Sequence, residues 1–484
     1  MAAGSAGAVD AAAQVLRSGG NAVDAAVAAA FAATVCEPGL ASLGGGGFLT
    51  VRSGEGNDLV HDFFVNAPGL GRPRGLSAPS LDTVTINFGG ADQVFHAGLG
   101  SLAVPGTLDG LLHAHKLHGR AAMPDIVAPA IGLAQRGWVV DQTQDTVLEL
   151  LAEILRLSPD CWALYSVDDR PARLGETLAN PDLAHTLGLI ADGTVRGFAD
   201  LAGVPSLLEA VQAAGGALTA QDLAGYRIID REPLRAGHRG AVLATNPAPS
   251  FGGPILAEAT RLLGERGPVS DDPDGTSRLI EALRGATERE KTMRRAGRPA
   301  AVKGTTHVSV VDADGGLASL TQSNGSCSGM TVPGTGVQVN NVMGEEDLHP
   351  AGLHTADPGA RIGSMMAPSL LDLPDGRVVA LGSGGSERIR SAMLSVLVGL
   401  VDRGKHADGA VEAPRRHWDG HGTQAEPPLA PAVAASLSRL GPVTTWRDKH
   451  LYFGGAHVVV RYPDGHVEAH GDSRRGGAAA VVDL

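Results

Sequence analysis

The spacing of apolar residues predicts a chain that mixes helices with strands. Residues 5–16 have helical spacing and are followed by Arg17 and a glycine pair, which is a typical helix stop. Asn21 then predicts the cap of a second, alanine-rich helix over residues 22–35. A run of four glycines leads into a predicted strand at residues 48–52. It lacks a following lysine and enters no helix, so it is not a phosphate-binding loop.

The middle of the chain is predicted to be largely helical. Residues 107–117 and 126–135 have helical spacing, and residues 141–213 form a further helical block. Arginine and glutamate are interleaved in a charged helix over residues 281–295. Residues 296–304 contain proline and glycine without periodicity, which predicts a flexible linker.

The strand and turn after this linker carry the candidate chemistry. β-branched residues predict a strand over residues 308–311, and residues 312–316 are a turn cluster. A glycine followed by a hydroxyl residue, here Gly304 and Thr305, is a bond that can cleave itself, because glycine permits the strained backbone that the attack needs. Cleavage would give Thr305 a free α-amine beside its hydroxyl, a nucleophile and a base in one residue. The alternative is an ordinary buried strand with a β-turn.

Several sequence runs resemble the γ-glutamyltransferase family of N-terminal-nucleophile hydrolases. The run Thr-Thr-His-x-Ser-Val-Val-Asp that begins at Thr305 is similar to the start of that family's small subunit. Matching runs elsewhere extend the similarity over nearly the full chain, and they are residues 19–26, 44–48, 218–227 and 246–253.

The resemblance implies both a fold and a processing event. The fold would be of the α/β (α+β) class, a four-layer αββα sandwich. Self-cleavage between Gly304 and Thr305 would give a large subunit of residues 1–304 and a small subunit of residues 305–484 that begins with the nucleophile. The two would together form one catalytic domain.

The resemblance also assigns the catalytic residues. Thr305 would be the nucleophile, and its α-amine, which titrates near pH 8, would be the general base. Ser323 matches the hydroxyl residue that bonds the nucleophile's amine. Gly384 and Gly385 match the two glycines of the oxyanion hole, although a spacer residue usual before them is missing and a plain glycine turn is the alternative.

The substrate-binding positions depart from the family pattern. Phe64 stands where the family has an arginine that clamps the substrate's α-carboxylate, and Met365 replaces one of two serines that help to hold it. Ser364 keeps the other serine. Asn324 matches a substrate-contacting asparagine if one residue is deleted. Glu345 keeps the charge of an ammonium-binding aspartate, or belongs to a surface acidic cluster.

These departures predict a self-processing hydrolase or transferase that acts on a small acid more apolar than the γ-glutamyl group. Apolar groups would leave a buried carboxylate without partners, which costs several kcal/mol. One kind of enzyme that this sequence resembles acts in natural-product (antibiotic) biosynthesis. It forms 4-alkylproline precursors by hydrolysing a carbon–carbon bond. Two alternatives stay open: a genuine γ-glutamyltransferase or glutathione hydrolase, and an inactive binding protein that is never cleaved.

The composition of the chain limits the kinds of binding partner that we expect. The formal charge of −13 argues against nucleic acid or an anionic membrane surface. The three cysteines are widely spaced and suggest neither a disulfide framework nor a zinc cluster. With no apolar run of 18 residues and no positively charged start, we expect a cytoplasmic protein unless a leader was trimmed. We expect a small-molecule substrate, no cofactor, two fragments that stay associated, and, as one option, a homodimer of such heterodimers.

Three histidines in the predicted helix 107–117 and just after it raise the question of a metal. Spacings of two and three do not place His113, His115 and His118 on one helical face, and no acidic residue lies among them. The sequence therefore predicts a solvated helix face and no metal site.

Overall fold

A computed structural model of the chain describes residues 1–53, 56–73, 77–87, 92–294, 304–349 and 351–483. The predicted linker 296–304 lies, except for Gly304, outside the described residues. No helix in the described part of the chain is both long and apolar enough to cross a membrane.

The strands of the described chain are numbered in chain order. They are β1 Ala2–Ala3, β2 Gly46–Arg52, β3 Asp58–Phe63, β4 Asp82–Asn87, β5 Asp92–Ala97, β6 Trp138–Val139, β7 Ser166–Val167, β8 Arg170–Pro171, β9 Thr177–Leu178, β10 Ile229–Arg231, β11 Leu234–His238, β12 Ala241–Thr245, β13 Gly304–Val311, β14 Leu317–Gly325, β15 Thr331–Val332, β16 Val337–Gln338, β17 Ser369–Asp372, β18 Val378–Gly384, β19 Arg416–Trp418, β20 Thr423–Ala425, β21 Val443–Thr445, β22 Gly455–Arg461, β23 Val467–His470 and β24 Ala478–Ala479.

The α-helices of the same residues are numbered in the same way. They are α1 Ala6–Arg17, α2 Ala22–Cys36, α3 Thr107–His118, α4 Met123–Arg136, α5 Gln142–Leu155, α6 Pro159–Tyr165, α7 Pro181–Ala191, α8 Val204–Ala213, α9 Ala220–Gly225, α10 Gly252–Gly264, α11 Pro273–Arg294, α12 Arg388–Val401, α13 Ala407–Val411 and α14 Pro431–Leu437.

Two antiparallel sheets face each other at the centre of the protein. The first has the order β10-β3-β2-β14-β13-β1-β24, and the second has the order β11-β12-β17-β18-β22-β23. Strand β13 of the first sheet packs on β18 and β22 of the second. Helix α2 covers the outer face of the first sheet at β13 and β14, whereas α12 covers the second at β18 and β22. The architecture is the expected αββα sandwich.

Helix α2 shows why the outer layer lies so close to the sheet. Asn21 and Asp24 close its first turn as a capping box, and every residue of the helix is buried. Alanine occupies most positions and Phe31 supplies the bulk. A helix that is apolar all round belongs inside a core, and small side chains let its neighbours approach on every side.

The space between the sheets is narrow and partly polar around β13. The His307 imidazole lies where a Cβ on Gly382 of β18 would stand, so only glycine fits there. Ser309 Oγ donates to the carbonyl oxygen of His457 in β22, at 3.0 Å. Side chains alternate along a strand, so Thr305 shares this inner face with His307, and Thr306 faces the outer helical layer.

The predicted elements agree closely with the observed ones. Helices predicted over residues 22–35 and 107–117 are observed as α2 and α3, each ending within one residue of its predicted end. The charged helix predicted over 281–295 is the second part of the longer α11. The strand predicted from β-branched residues begins earlier, at Gly304, because the polar Thr-Thr-His segment also pairs with β14.

Candidate active site

Four residues stand side by side across neighbouring strands at one end of the first sheet. Thr305 of β13 pairs with Ser323 of β14, and Ser323 pairs with Gly46 of β2. Gly47 pairs with Phe63, and the next position along brings Gly46 beside Phe64, whose Cα lies 3.1 Å from where a Gly46 Cβ would stand. Strands are about 4.8 Å apart, so Thr305 and Phe64 are separated by roughly 14 Å along this row. The candidate nucleophile and the altered clamp position thus border one surface.

The strand pairing is irregular at the candidate cleavage bond. Gly304 pairs with Gly325, but Thr305 pairs with Ser323, so that Asn324 is the extra residue of a β-bulge. A Cβ on Gly304 would overlap the carbonyl oxygens of Gly39 and Gly325, and only glycine fits there. Bulges re-aim side chains and are common beside active sites, and this one lies opposite the Gly304–Thr305 peptide.

Ser323 links the candidate nucleophile to the carbonyl before it. Thr305 Oγ1 donates to Ser323 Oγ at 3.3 Å, and Ser323 Oγ donates to the Gly304 carbonyl oxygen at 2.5 Å. The backbone N–H of Gly325 donates to the same serine oxygen at 3.1 Å. All four residues of this network are buried. The arrangement can polarise the Gly304 carbonyl while it holds the threonine hydroxyl nearby.

Gly384 ends β18 and lies against the backbone of Thr305, and Gly385 follows it directly. A Cβ on Gly384 would overlap the Thr305 carbonyl oxygen, and a Cβ on Gly385 would lie 2.7 Å from the Cα of Gly454. Gly385 also has a φ of +122°, which glycine adopts without strain. Both positions therefore require glycine, and Gly384 lies beside Thr305; an oxyanion-binding role for the pair stays a prediction.

A buried arginine from near the end of the chain completes this corner. Arg475 Nη1 donates to the Thr305 carbonyl oxygen at 3.4 Å, and its guanidinium lies within 3.5 Å of the Cβ positions of Gly384 and Gly385. Burial, reinforced by the nearby Arg388, lowers the pKa of Arg475 to about 10, so the group stays charged at neutral pH. Sequence reasoning missed this residue, because nothing local marks it among the arginines of its segment.

A buried carboxyl lies on the opposite, helical side of the nucleophile strand. Glu37, just after α2, is 1% exposed, and Ser5 Oγ donates to its Oε1 at 2.8 Å. A Cβ on Gly4 would lie 2.5 Å from Thr306 Oγ1 and 2.7 Å from Glu37 Oε2, so both groups close over Gly4. Burial raises the pKa of Glu37 to about 7, against the opposing effect of the Thr306 and Ser5 hydroxyls. A charged residue directly after a long, mainly apolar helix was the signal that could have marked it.

Asn324 and Glu345 lie beside the row that carries Thr305. Asn324 is fully buried, yet neither its Oδ1 nor its Nδ2 has a hydrogen-bond partner. Glu345 is 5% exposed, which excludes a surface acidic cluster, and its Oε1 lies 2.8 Å from where a Cβ on Gly325 would stand. A buried amide without hydrogen-bond partners costs free energy of folding. We therefore interpret the Asn324 side chain as a candidate ligand-binding group.

The altered clamp positions come together in an apolar cluster. Phe64 is buried and stacks on Phe48 with ring centroids 5.7 Å apart. Met365 belongs to the same buried cluster. Ser364 is held by the loop before α10, since Ser250 Oγ donates to its carbonyl oxygen at 2.8 Å. Phe64 and Met365 thus share one buried apolar cluster, and Ser364 directly precedes Met365.

Arg361 lies close to the missing clamp position, but its guanidinium is already engaged by backbone carbonyls, by Tyr226 and by an ion pair with Asp62. Its guanidinium donates to the carbonyl oxygens of Phe64 and Arg227 and, at 2.9 Å, to the Tyr226 hydroxyl. It also lies over the Tyr226 ring, 4.9 Å from the centroid. Arg361 therefore supports the backbone under Phe64.

The prediction of a solvated histidine face on α3 is wrong for His113 and His118. Both side chains are partly buried against β3 and β10. His118 contacts His61, and His113 contacts Asp230, so an acidic partner comes from a distant strand. His115 faces elsewhere, with its Nε2 2.8 Å from the carbonyl oxygen of Ala121.

The αββα sandwich is the fold of N-terminal-nucleophile hydrolases, and comparison with known proteins agrees. The sequence profile of the γ-glutamyltranspeptidase family matches residues 8–295 and 286–482. The chain therefore belongs to the γ-glutamyltranspeptidase family, whose members are hydrolases, acylases and transferases, and it is an enzyme of this type.

Individual relatives include both acylases and glutathione hydrolases. The chain is 32% identical to the acylase ACY 1 proenzyme of Pseudomonas sp. strain SE83, over 94% of this chain and 88% of the relative. It is 27% identical to the glutathione hydrolase proenzyme of Bacillus subtilis, over 98% and 89%. The crystal structure of a cephalosporin acylase from Bacillus halodurans superposes with a TM-score of 0.83 at 25% identity, covering 100% of this chain and 95% of that one.

Proposed function

We propose that the protein is a self-processing acylase in which Thr305 is first the cleaving residue and then the catalytic nucleophile. In processing, Thr305 Oγ1 attacks the Gly304 carbonyl carbon, and the bond to the Thr305 nitrogen breaks as that nitrogen takes up a proton. Water then hydrolyses the resulting ester and leaves Thr305 with a free amine. The hydrogen bond from Ser323 Oγ to the Gly304 carbonyl oxygen supports this step, because it stabilises the charge that develops there.

In turnover, the Thr305 amine takes the hydroxyl proton as the oxygen attacks a substrate carbonyl. The acyl group passes to Thr305, and the leaving amine or carbon takes a proton. Backbone N–H groups at Gly384 and Gly385 are our candidates for binding the oxyanion, and the Arg475 charge lies close enough to assist. Water, or an amine acceptor, then releases the acyl group.

We expect the two fragments of 304 and 180 residues to remain associated, because the first sheet interleaves them. Strands β14 and β13 of the small fragment lie between β2 and β1 of the large one, and β24 of the small fragment follows β1. Separating the fragments would break three strand pairings in this sheet and the β12–β17 pairing in the second, and it would expose the core. A small molecule remains the expected substrate.

The specificity proposal rests on one observation: Phe64 and Met365, at the two positions where the family pattern has carboxylate-binding groups, are apolar and belong to the same buried cluster. The acyl group is accordingly one that lacks the α-carboxylate of a γ-glutamyl group. The Asn324 amide, which has no hydrogen-bond partner, is our candidate for binding a polar substituent of the substrate, and the Glu345 carboxylate lies close to the same bulge. The 32% identity to an acylase agrees with an amide-linked acyl substrate.

A matched substrate pair tests this proposal. The 4-aminobutanoyl anilide differs from the γ-glutamyl anilide only by the missing α-carboxylate. We expect the former to be the better substrate by at least tenfold in kcat/KM, and the double variant Phe64→Arg, Met365→Ser to reverse the order. Faster turnover of the γ-glutamyl anilide by the unaltered enzyme would favour a genuine γ-glutamyltransferase instead.

Hydrolysis of a carbon–carbon bond beside a keto group is the second candidate reaction. It would use the same nucleophile, and it also fits the absence of the carboxylate-binding arginine and serine. Thr305 Oγ1 would add to the ketone carbon, the carbon–carbon bond would break to give an acyl-enzyme, and water would release a small acid. Incubation with a dienyl-proline substrate of this kind should release a small diacid. Its absence, with the anilides turned over, would leave the amide reaction.

Processing itself has a direct test that also separates the enzyme from an inactive binding homologue. Mass spectrometry of active protein should find two pieces divided between Gly304 and Thr305, and Thr305→Ala should yield one intact, inactive chain. Full activity with the 304–305 bond intact would overturn the mechanism.

A further inference from the structure

A second cluster of potential ligand groups lies at the β10 edge of the first sheet. His61 of β3 and Asp230 of β10 are cross-strand partners. His113 and His118 approach from α3, which packs on β3. The cluster is separate from the proposed catalytic residues, since β2 and β14 lie between β3 and the Thr305 strand.

The polar atoms of the cluster converge closely. His61 Nδ1 lies 2.6 Å from Asp230 Oδ1, and His113 Nε2 lies 3.4 Å from the same oxygen. The other ring nitrogen of His61, Nε2, lies 2.8 Å from His118 Nε2. One ligand atom from each of His61, His113 and Asp230 lies within 4.8 Å of the other two.

We propose that His61, His113 and Asp230 bind a divalent cation of the borderline class, such as Zn²⁺, Co²⁺ or Ni²⁺. Two imidazoles and one carboxylate are the donor set that these ions accept, and hard ions such as Ca²⁺ and Mg²⁺ prefer oxygen alone. Ligand atoms about 3.3 Å apart suit metal bonds of about 2.0–2.1 Å, so small side-chain adjustments complete the site.

His118 gives the site an outer partner that orients the buried ligand. If a metal bonds Nδ1 of His61, the proton of that ring resides on Nε2 and is donated to His118 Nε2. Metal-bound histidines regularly have their second nitrogen fixed in this way. The His61 side chain is fully buried, and burial favours the neutral imidazole that a metal requires.

The site is open to ions and water. The side chains of His113 and Asp230 are 30% and 42% exposed, whereas that of His61 is fully buried. Three protein ligands leave at least one position for water. A metal here would tie α3 to both outer strands of the sheet edge, three residues before Phe64, and would stabilise the sheet edge that carries the altered clamp position.

Without a metal, the same groups can form a hydrogen-bonded chain in which Nδ1–H of His61 donates to Asp230 and His118 donates to Nε2 of His61. The experiment must separate these two states. The untagged full-length protein is stripped with a chelator, dialysed, and titrated with Zn²⁺ and with Co²⁺, and bound metal is measured by elemental analysis and by the visible absorption of Co²⁺.

We expect one ion per chain, a higher Tm with Zn²⁺, and at least tenfold weaker binding in both His113→Gln and Asp230→Asn. His185→Gln is the matched control, since His185 is exposed on the unrelated helix α7. Two partly exposed positions are changed, so that at least one variant should fold. Absence of stoichiometric binding, or equal binding by all variants, would overturn the proposal and leave the hydrogen-bonded chain. Activity plays no part in this readout, so the proposed function is tested separately.

Discussion

Ser323 Oγ donates a hydrogen bond of 2.5 Å to the carbonyl oxygen of Gly304. This oxygen belongs to the peptide that Thr305 would cleave, and the same serine accepts from Thr305 Oγ1 at 3.3 Å. One side chain thus contacts both the carbonyl to be attacked and the attacking hydroxyl. A donor held in this position stabilises the oxyanion in the transition state without further reorganisation.

Replacing Ser323 by alanine should therefore slow self-cleavage strongly while the chain still folds. Loss of a single oxyanion donor typically lowers a rate by about 10²–10³-fold. The time course of precursor disappearance on a denaturing gel measures the effect. Ser319→Ala, on the same strand, is the control: Ser319 Oγ donates to Leu381 O at 2.9 Å, far from the cleavage bond. Unchanged cleavage in Ser323→Ala would remove Ser323 from the processing mechanism.

Asn324 and Asn340 offer a comparison between an asparagine that we propose to contact the substrate and one that supports the structure. Both are fully buried. Asn340 uses its amide fully, donating to Gly44 O at 2.8 Å and to Ala103 O at 3.1 Å and accepting from the N–H groups of Ala103 and Val342. The Asn324 side chain makes no such bond.

Asn324→Ala should consequently change the free energy of unfolding by less than about 1 kcal/mol but lower kcat/KM at least tenfold. Asn340→Ala should destabilise by about 2–4 kcal/mol, because it leaves several buried backbone groups unpaired. Urea unfolding and steady-state kinetics provide the two measurements. Normal kcat/KM in Asn324→Ala would show that its amide does not contact the substrate.

The sequence predicted the secondary-structure elements better than it predicted the residues around Thr305. Helix α2 was predictable because its cap and its apolar run are local features. The Thr305 strand was predictable for the same reason. Glu37 and Arg475 were not, since their positions around Thr305 and Thr306 depend on contacts between residues far apart in sequence. The acidic partner of the α3 histidines was missed likewise, because Asp230 comes from another strand.

Gly384→Ala should inactivate the enzyme through backbone displacement. The added methyl group would overlap the Thr305 carbonyl oxygen, so either β18 or the nucleophile strand must move. Overpacking of this kind costs about 1–3 kcal/mol, and a small misplacement of a catalytic group can lower the rate by about 10²-fold. Anilide hydrolysis and thermal unfolding report the two effects.

Gly188→Ala is the matched control for this substitution. Gly188 lies within α7, and a Cβ there would meet nothing within 4 Å. Alanine should raise stability there by about 0.5–1 kcal/mol, since it is the better helix former, and should leave activity unchanged. If Gly384→Ala behaved like Gly188→Ala, the close approach of β18 to Thr305 would have no catalytic meaning.

Glu37 should make the uncleaved chain less stable as the pH rises from 4.5 to about 7. Burial raises its pKa from 4.5 to about 7, and the nearby Asp141 adds to the rise, whereas Thr306, Ser5 and Arg475 oppose it. The folded chain thus holds a proton that the unfolded chain has lost between these values. The resulting stabilisation is complete below pH 4.5, declines from there, and is gone above pH 7. The difference corresponds to at most about 3 kcal/mol.

Chemical unfolding of the Thr305→Ala chain between pH 4.5 and 8 measures the contribution of Glu37 to the free energy of unfolding. This variant is used because its chain stays uncleaved. Adding Glu37→Gln should flatten the decline and make the chain more stable at pH 8, because the amide keeps the buried site neutral. Glu209→Gln, which removes an exposed carboxylate from α8, should leave the profile unchanged. A profile that Glu37→Gln does not alter would mean that Glu37 is ionised in the folded state, and the Arg475 charge would then be its natural counter-ion.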